Sequence, residues 1–102
     1  MDRKRLMREF GKQLLGMGFR KGNSLDREVD SYLYHGKELM GRENYMTTAD
    51  VDYYGYKIRF FPREHYHYTK IVRWEYVAKV DVEKALRDFF DEYYLPANMA
   101  EE

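Results

Sequence analysis

The apolar positions of this chain change period along its length, from helical to alternating and back to helical. Between residues 3 and 17, Leu6, Phe10, Leu14 and Met17 recur at spacings of four, four and three, with Met7 and Leu15 beside them. That period predicts an amphipathic helix. Arg5, Arg8 and Lys12 fall on another face of it as a basic stripe. Gly11 weakens such a helix by about 1 kcal/mol relative to alanine, and Gly16 and Gly18 supply a left-handed stop.

The alternating stretch comes later. Tyr54, Tyr56, Ile58 and Phe60 alternate with Lys57, Arg59 and Phe61, which is the period of a half-buried strand ended by Pro62. Tyr68 to Ala78 reads as its return strand, with Val72, Trp74 and Tyr76 on one face and Ile71, Arg73, Glu75 and Val77 on the other. The 53–61/68–78 hairpin is therefore expected at the centre of the fold. Its inner face is Tyr56, Ile58, Phe60, Val72, Trp74 and Tyr76, and its outer face is Lys57, Arg59, Phe61 and Arg73.

Residues 25–40 are ambiguous. Leu25, Val29, Tyr32, Leu33, Gly36 and Met40 fit a helix capped by Ser24, whereas 31–34 and 37–40 fit a hairpin turning at His35-Gly36. The strand reading near 29–34 is preferred, and 41–50 reads as loop. A final helix is predicted over 82–94, with Asp81 as N-cap and Val82, Leu86, Phe89 and Tyr93 as its apolar stripe. Pro96 stops it. Residues 1–96 thus read as one α+β domain: a helix, an antiparallel sheet of three to four strands, and a second helix, both helices on one sheet face. Residues 97–102 read as a flexible tail.

That order of elements is similar to double-stranded RNA-binding domains and to small toxin domains related to them, as is the Gly18-Phe19-Arg20-Lys21-Gly22 stretch after the first helix. Such toxins carry a catalytic histidine shortly after the glycine. Here Asn23 and Ser24 stand in its place and the next histidine is His35, so that role does not carry over.

Composition narrows the chemistry. Tyrosine dominates an aromatic share of 18%, which suits sheet faces and contact surfaces alike. With no cysteine, disulfides, zinc-thiolate sites and thiol nucleophiles are excluded. No signal-like or membrane-length apolar run follows the charged N-terminus, so the cytoplasm is the expected compartment and no membrane partner is expected. A net charge of zero hides alternation: residues 1–22, 23–52, 53–80 and 81–102 carry +5, −4, +4 and −5. A basic surface can therefore coexist with an acidic one.

Catalytic and cofactor motifs are weak. His65 and His67 lie close together beside Glu64, but metal sites need three or four convergent ligands. Asp26, Glu28 and Asp30, and again Asp50 and Asp52, alternate as Mg²⁺-binding carboxylates of a nuclease would, without the lysine and third carboxylate in order. A divalent-metal enzyme using Asp50, Asp52 and a histidine is the residual enzymatic reading. No cofactor, metal or catalytic residue is assigned.

The expectation is a non-enzymatic module that acts stoichiometrically on a protein partner. It would suit an accessory or inhibitor protein of a phage or mobile element, for example one blocking a host defence nuclease. Asp88, Asp91, Glu92, Phe61 and Tyr66 are the candidate contacts, and a homodimer is compatible with the aromatic content. The alternative is a domain that binds RNA or single-stranded DNA through Arg5, Arg8, Lys12, Lys57, Arg59, Arg63, Lys70 and Arg73, interleaved with aromatic residues.

Overall fold

The computed structural model describes residues 3–44, 46–63, 69–73 and 82–94. The first helix, α1 (Arg3–Gly16), buries Met7, Phe10, Gly11 and Leu14. Met7 is fully buried where the sequence reading put Leu6, and Leu15 is half exposed. The helix ends in a Schellman motif. Phe19 donates its backbone N–H to the Leu14 carbonyl and Gly18 donates to Leu15, both at 3.1 Å. Gly18 takes φ 102°, which a side chain would resist. Phe19, just past this cap, joins Leu14 in the core.

Gly11 is explained by its neighbour. A Cβ there would sit 2.5 Å from the Tyr32 hydroxyl and 3.1 Å from its ring. Gly11→Ala is therefore expected to destabilise the protein, because overpacking costs about 1–3 kcal/mol and outweighs the ~1 kcal/mol gained in helix propensity. Adding Tyr32→Phe removes the closest atom, so the double variant should recover much of the loss in a urea titration.

Strands β1 (Arg20–Lys21), β2 (Val29–Leu33), β5 (Thr47–Asp52), β6 (Lys57–Pro62) and β7 (Lys70–Arg73) form one antiparallel sheet among the described residues, in the order β1-β2-β5-β6-β7. A small hairpin, β3 (Glu38–Leu39) with β4 (Arg42–Glu43), is inserted between β2 and β5. The register puts Tyr32, Ala49, Val51, Ile58, Phe60 and Val72 on one face. All six are buried, and they share a core with α1 and with Val82, Ala85, Leu86 and Phe89 of α2 (Val82–Phe89). A π-helical turn, Phe90–Tyr94, extends α2 and buries Phe90 as well. Phe60 joins the two helices, with ring centroids 6.1 Å from Phe10 and 6.0 Å from Phe89.

The α+β order and the placement of both helices on one sheet face agree with the sequence reading, and so does the strand near 29–34. Three expectations are corrected. The sheet has five strands instead of three or four. The stretch 41–50 is not loop, because β4 and most of β5 lie in it. Its threonines hid it: Thr47 and Thr48 are polar by type yet 0% and 6% exposed. The first hairpin strand also starts at Lys57, not Tyr53. The Asp52 carboxylate accepts the backbone N–H groups of Tyr54 and Gly55 at 2.9 and 2.8 Å, closing a turn over Tyr53–Tyr56. Tyr54 is consequently 80% exposed, and Tyr56 takes φ 51° instead of joining the inner face. Nor does 37–40 pair with 31–34, since β2 pairs with β5. Trp74, Tyr76 and the tail 97–102 lie outside the described residues.

Candidate functional site

The two sheet faces place the charged residues. On the face away from the helices, the register brings Ser31, Asp50, Arg59 and Ile71 into one row, and Asp52, Lys57 and Arg73 into the next. The Arg59 guanidinium lies 3.7 Å from Asp50 and 4.0 Å from Asp52. Ser31 donates its hydroxyl to Asp50 at 2.7 Å. The outer face is thus a ladder of opposite charges. Phe61, expected to be an exposed member of it, is 7% exposed in a row with Leu33 and Thr48. Arg63 is exposed at the edge of a shallow recess of about 260 Å³ that also reaches Asn23 and Asp50.

The acidic residues near the C-terminus hold the fold to itself. Asp91 lies 2.6 Å from Arg42 of β4, Glu92 lies 2.9 Å from Lys70 of β7, and Asp88 lies 3.2 Å from Lys84 one helical turn earlier. The Arg42 guanidinium also sits 5.7 Å over the Phe90 ring. Each exposed pair contributes only about 0–1 kcal/mol, with Asp91 and Glu92 reaching neighbouring strands and Asp88 its own helix. Tyr66, His65 and His67 lie outside the described residues. Among the described residues, no three His, Asp or Glu side chains converge as a metal site would require.

A different grouping emerges on the helix side of the sheet. Lys4, Arg8 and Lys12 follow one another every fourth residue, so they form a single row along α1. Opposite them stand Lys21 of β1, Arg27 and Glu28 of the loop before β2, and Asp30 and Tyr32 of β2. Tyr53, at the start of the β5–β6 turn, and Leu15 complete a cleft of about 460 Å³. Five cationic side chains thereby face two carboxylates.

The carboxylates are only partly available. Asp30 lies 3.4 Å from Lys21 and accepts the Tyr53 hydroxyl at 3.0 Å. Burial, then that hydrogen bond and the Asp30 charge, push the Tyr53 phenol well above its ordinary value, with Arg8 pulling the other way. Burial raises Tyr32 too, aided by Asp30. Both phenols therefore remain neutral donors at physiological pH. Lys12 reaches Glu9 on its own helix at 3.2 Å. Arg8 and Arg27 have no carboxylate partner among the described residues.

The structure thus divides the sequence-predicted basic set. Arg8 and Lys12 enter the cleft, and Arg5 stays exposed on α1. Lys57, Arg59 and Arg73 lie on the opposite sheet face, and Lys70 is tied to Glu92. Lys4, Lys21 and Arg27 lie outside that predicted set. The +5 charge of residues 1–22 signals the first two, whereas Arg27 arrives from an acidic block and carries no such signal. None of the described helices is long and apolar enough to cross a membrane. In comparisons with known proteins, no family model, curated protein or solved structure matches the chain.

Proposed function

We propose that the chain is a small interaction module that acts by stoichiometric binding, and that its contact surface is the basic cleft between α1 and β2. The observation that supports this reading is the convergence of Lys4, Arg8, Lys12, Lys21 and Arg27 from three separate segments. Gathering like charges opposes folding. The first turn of α1 adds to that opposition, since Arg3, Lys4 and Arg5 stand there with no acidic residue. Cations at a helix N-terminus face the positive end of the macrodipole, at about 0.3–1 kcal/mol each. An anionic macromolecule offsets this repulsion when it binds. Within the cleft Lys12 and Lys21 each have a carboxylate beside them, as Arg42, Arg59 and Lys70 do elsewhere, whereas Arg8 and Arg27 have none among the described residues.

The test is retention on an immobilised polyanion such as heparin, read as the salt concentration of elution. Arg8→Glu is expected to lower retention sharply, because it reverses a charge that no carboxylate in the described fold neutralises. Arg73→Glu, on the opposite sheet face, is expected to elute close to the parent protein. Equal elution of all three proteins would remove the cleft from consideration. The protein-partner surface read from Asp88, Asp91 and Glu92 has weaker support, because those carboxylates are engaged within the chain.

A further inference from the structure

We infer that the cleft and the adjoining tyrosine turn together bind a single strand of nucleic acid, an inference that rests on the reading of the cleft as the contact surface. The β5–β6 connection is four residues long and three of them are tyrosines. Tyr53 lines the cleft, while its neighbour Tyr54 projects into solvent with 80% of its surface exposed. Tyr56 occupies the left-handed region at φ 51°, where glycine or asparagine is the ordinary choice, and Arg3 stacks its guanidinium 5.0 Å from that ring. Strain of this kind collects where a binding surface needs a side chain that the backbone does not favour.

The turn meets α1 at Arg3, where the row of Lys4, Arg8 and Lys12 begins. That row advances by about 6 Å per member along the helix. A phosphate backbone laid along it meets successive cations, and the exposed ring of Tyr54, next in sequence to the cleft residue Tyr53, is open to a base. Basic grooves flanked by open aromatic rings are how single strands are held without regard to sequence. A duplex offers the same phosphates but keeps its base faces stacked inside.

Glu28 gives the cleft a hydrogen-bond acceptor that a nucleobase can use. Its carboxylate lines the cleft and has no ion-pair partner among the described residues. The exocyclic amino group of cytosine or adenine can donate to that carboxylate while the phosphates lie along the cations of α1, and the exposed ring of Tyr54 offers a base, not a carboxylate, a stacking partner.

The experiment is fluorescence anisotropy with labelled single-stranded DNA and RNA of about twelve nucleotides, within the range of known single-strand sites. A duplex of the same length and polyglutamate are run alongside. The single strands are expected to bind roughly tenfold more tightly than the duplex, since stacking of a base on an aromatic ring supplies such a factor. Their affinity should fall with salt at a log–log slope of about −1.4 to −2.1, corresponding to two to three phosphates. Tyr54→Ala should weaken single strands about tenfold, Tyr54→Phe should restore them, and neither should change polyglutamate binding. Equal affinity for duplex or indifference to Tyr54→Ala would overturn the inference and leave a cleft that reads phosphates alone, and tighter binding of polyglutamate would overturn it in favour of an acidic protein. Indifference of every probe to Arg8→Glu would instead remove the cleft itself.

Discussion

Phe60→Ala is expected to remove a large share of the protein's stability while leaving it folded in the absence of denaturant. The side chain is fully buried and its ring contacts Phe10 of α1 on one side and Phe89 of α2 on the other. Truncating a buried phenylalanine costs about 3–5 kcal/mol. Small domains have only about 5–15 kcal/mol in total. Here the loss falls on the one sheet residue whose ring meets rings of both helices among the described aromatic contacts, so α1 and α2 lose a shared support together. Far-ultraviolet circular dichroism against urea should show a midpoint displaced to much lower denaturant. Phe60→Leu, which keeps most of the volume, should fall between the two. A midpoint for Phe60→Ala within error of the parent would mean that the helices are held by other contacts.

The arrangement that makes Phe60 central was legible in the sequence, because Ile58, Phe60 and Val72 declare themselves by alternation. The same signal misled one turn earlier. Tyr54 and Tyr56 continue the alternating pattern, but the Asp52 carboxylate captures two backbone N–H groups and folds the chain back before a strand can form there. Periodicity reports which side chains would share a face of an extended strand, and it is silent about a local hydrogen bond that ends the extension. In β5 the failure ran the other way. Thr47, Thr48, Asp50 and Asp52 look like loop composition, yet β5 lies between β2 and β6, the central position of the described sheet.

The candidate site was legible only in half. Arg8 and Lys12 could be placed on one helix face from spacing alone. Their meeting with Lys21, Arg27 and Tyr53 depends on which edge of the sheet α1 covers. That is a long-range consequence of packing Phe10 and Leu14 onto Tyr32 and Phe60, with Gly11 allowing the close approach. The expected nucleic-acid face failed for an equally non-local reason. Arg59 aligns with Asp50 across β5 and β6, so a cation that looks free in the sequence is opposed in the fold.

Asn44→Ala is expected to destabilise the protein by about 2–3 kcal/mol, a large effect for a polar residue outside the core. Its side-chain amide donates to the Tyr34 carbonyl at 3.0 Å and to the Gly36 carbonyl at 2.7 Å. Its oxygen accepts the Thr47 backbone N–H at 3.1 Å and the Thr47 hydroxyl. One amide thus joins the end of β2, the start of the β3–β4 hairpin and the start of β5. Thr47 is fully buried, so alanine takes away this acceptor where water has little access to replace it, whereas water can reach the more exposed Gly36. Asn44→Asp separates the two halves of this role. The introduced carboxylate still accepts from Thr47 but points an oxygen at the Tyr34 or Gly36 carbonyl. Its ionised form is disfavoured in the folded state, so its folded pKa is raised above the unfolded value of about 3.9. A raised pKa gives stability that is present at low pH and lost as pH rises through the folded value. Asn44→Asp should therefore approach the parent near pH 4 and fall toward Asn44→Ala near neutrality. Urea midpoints for the three proteins at both pH values would show this. If Asn44→Asp were as stable as the parent at neutral pH, the donor half of the amide would carry no weight, and the hairpin would be held by Leu39 and the Arg42–Asp91 pair instead.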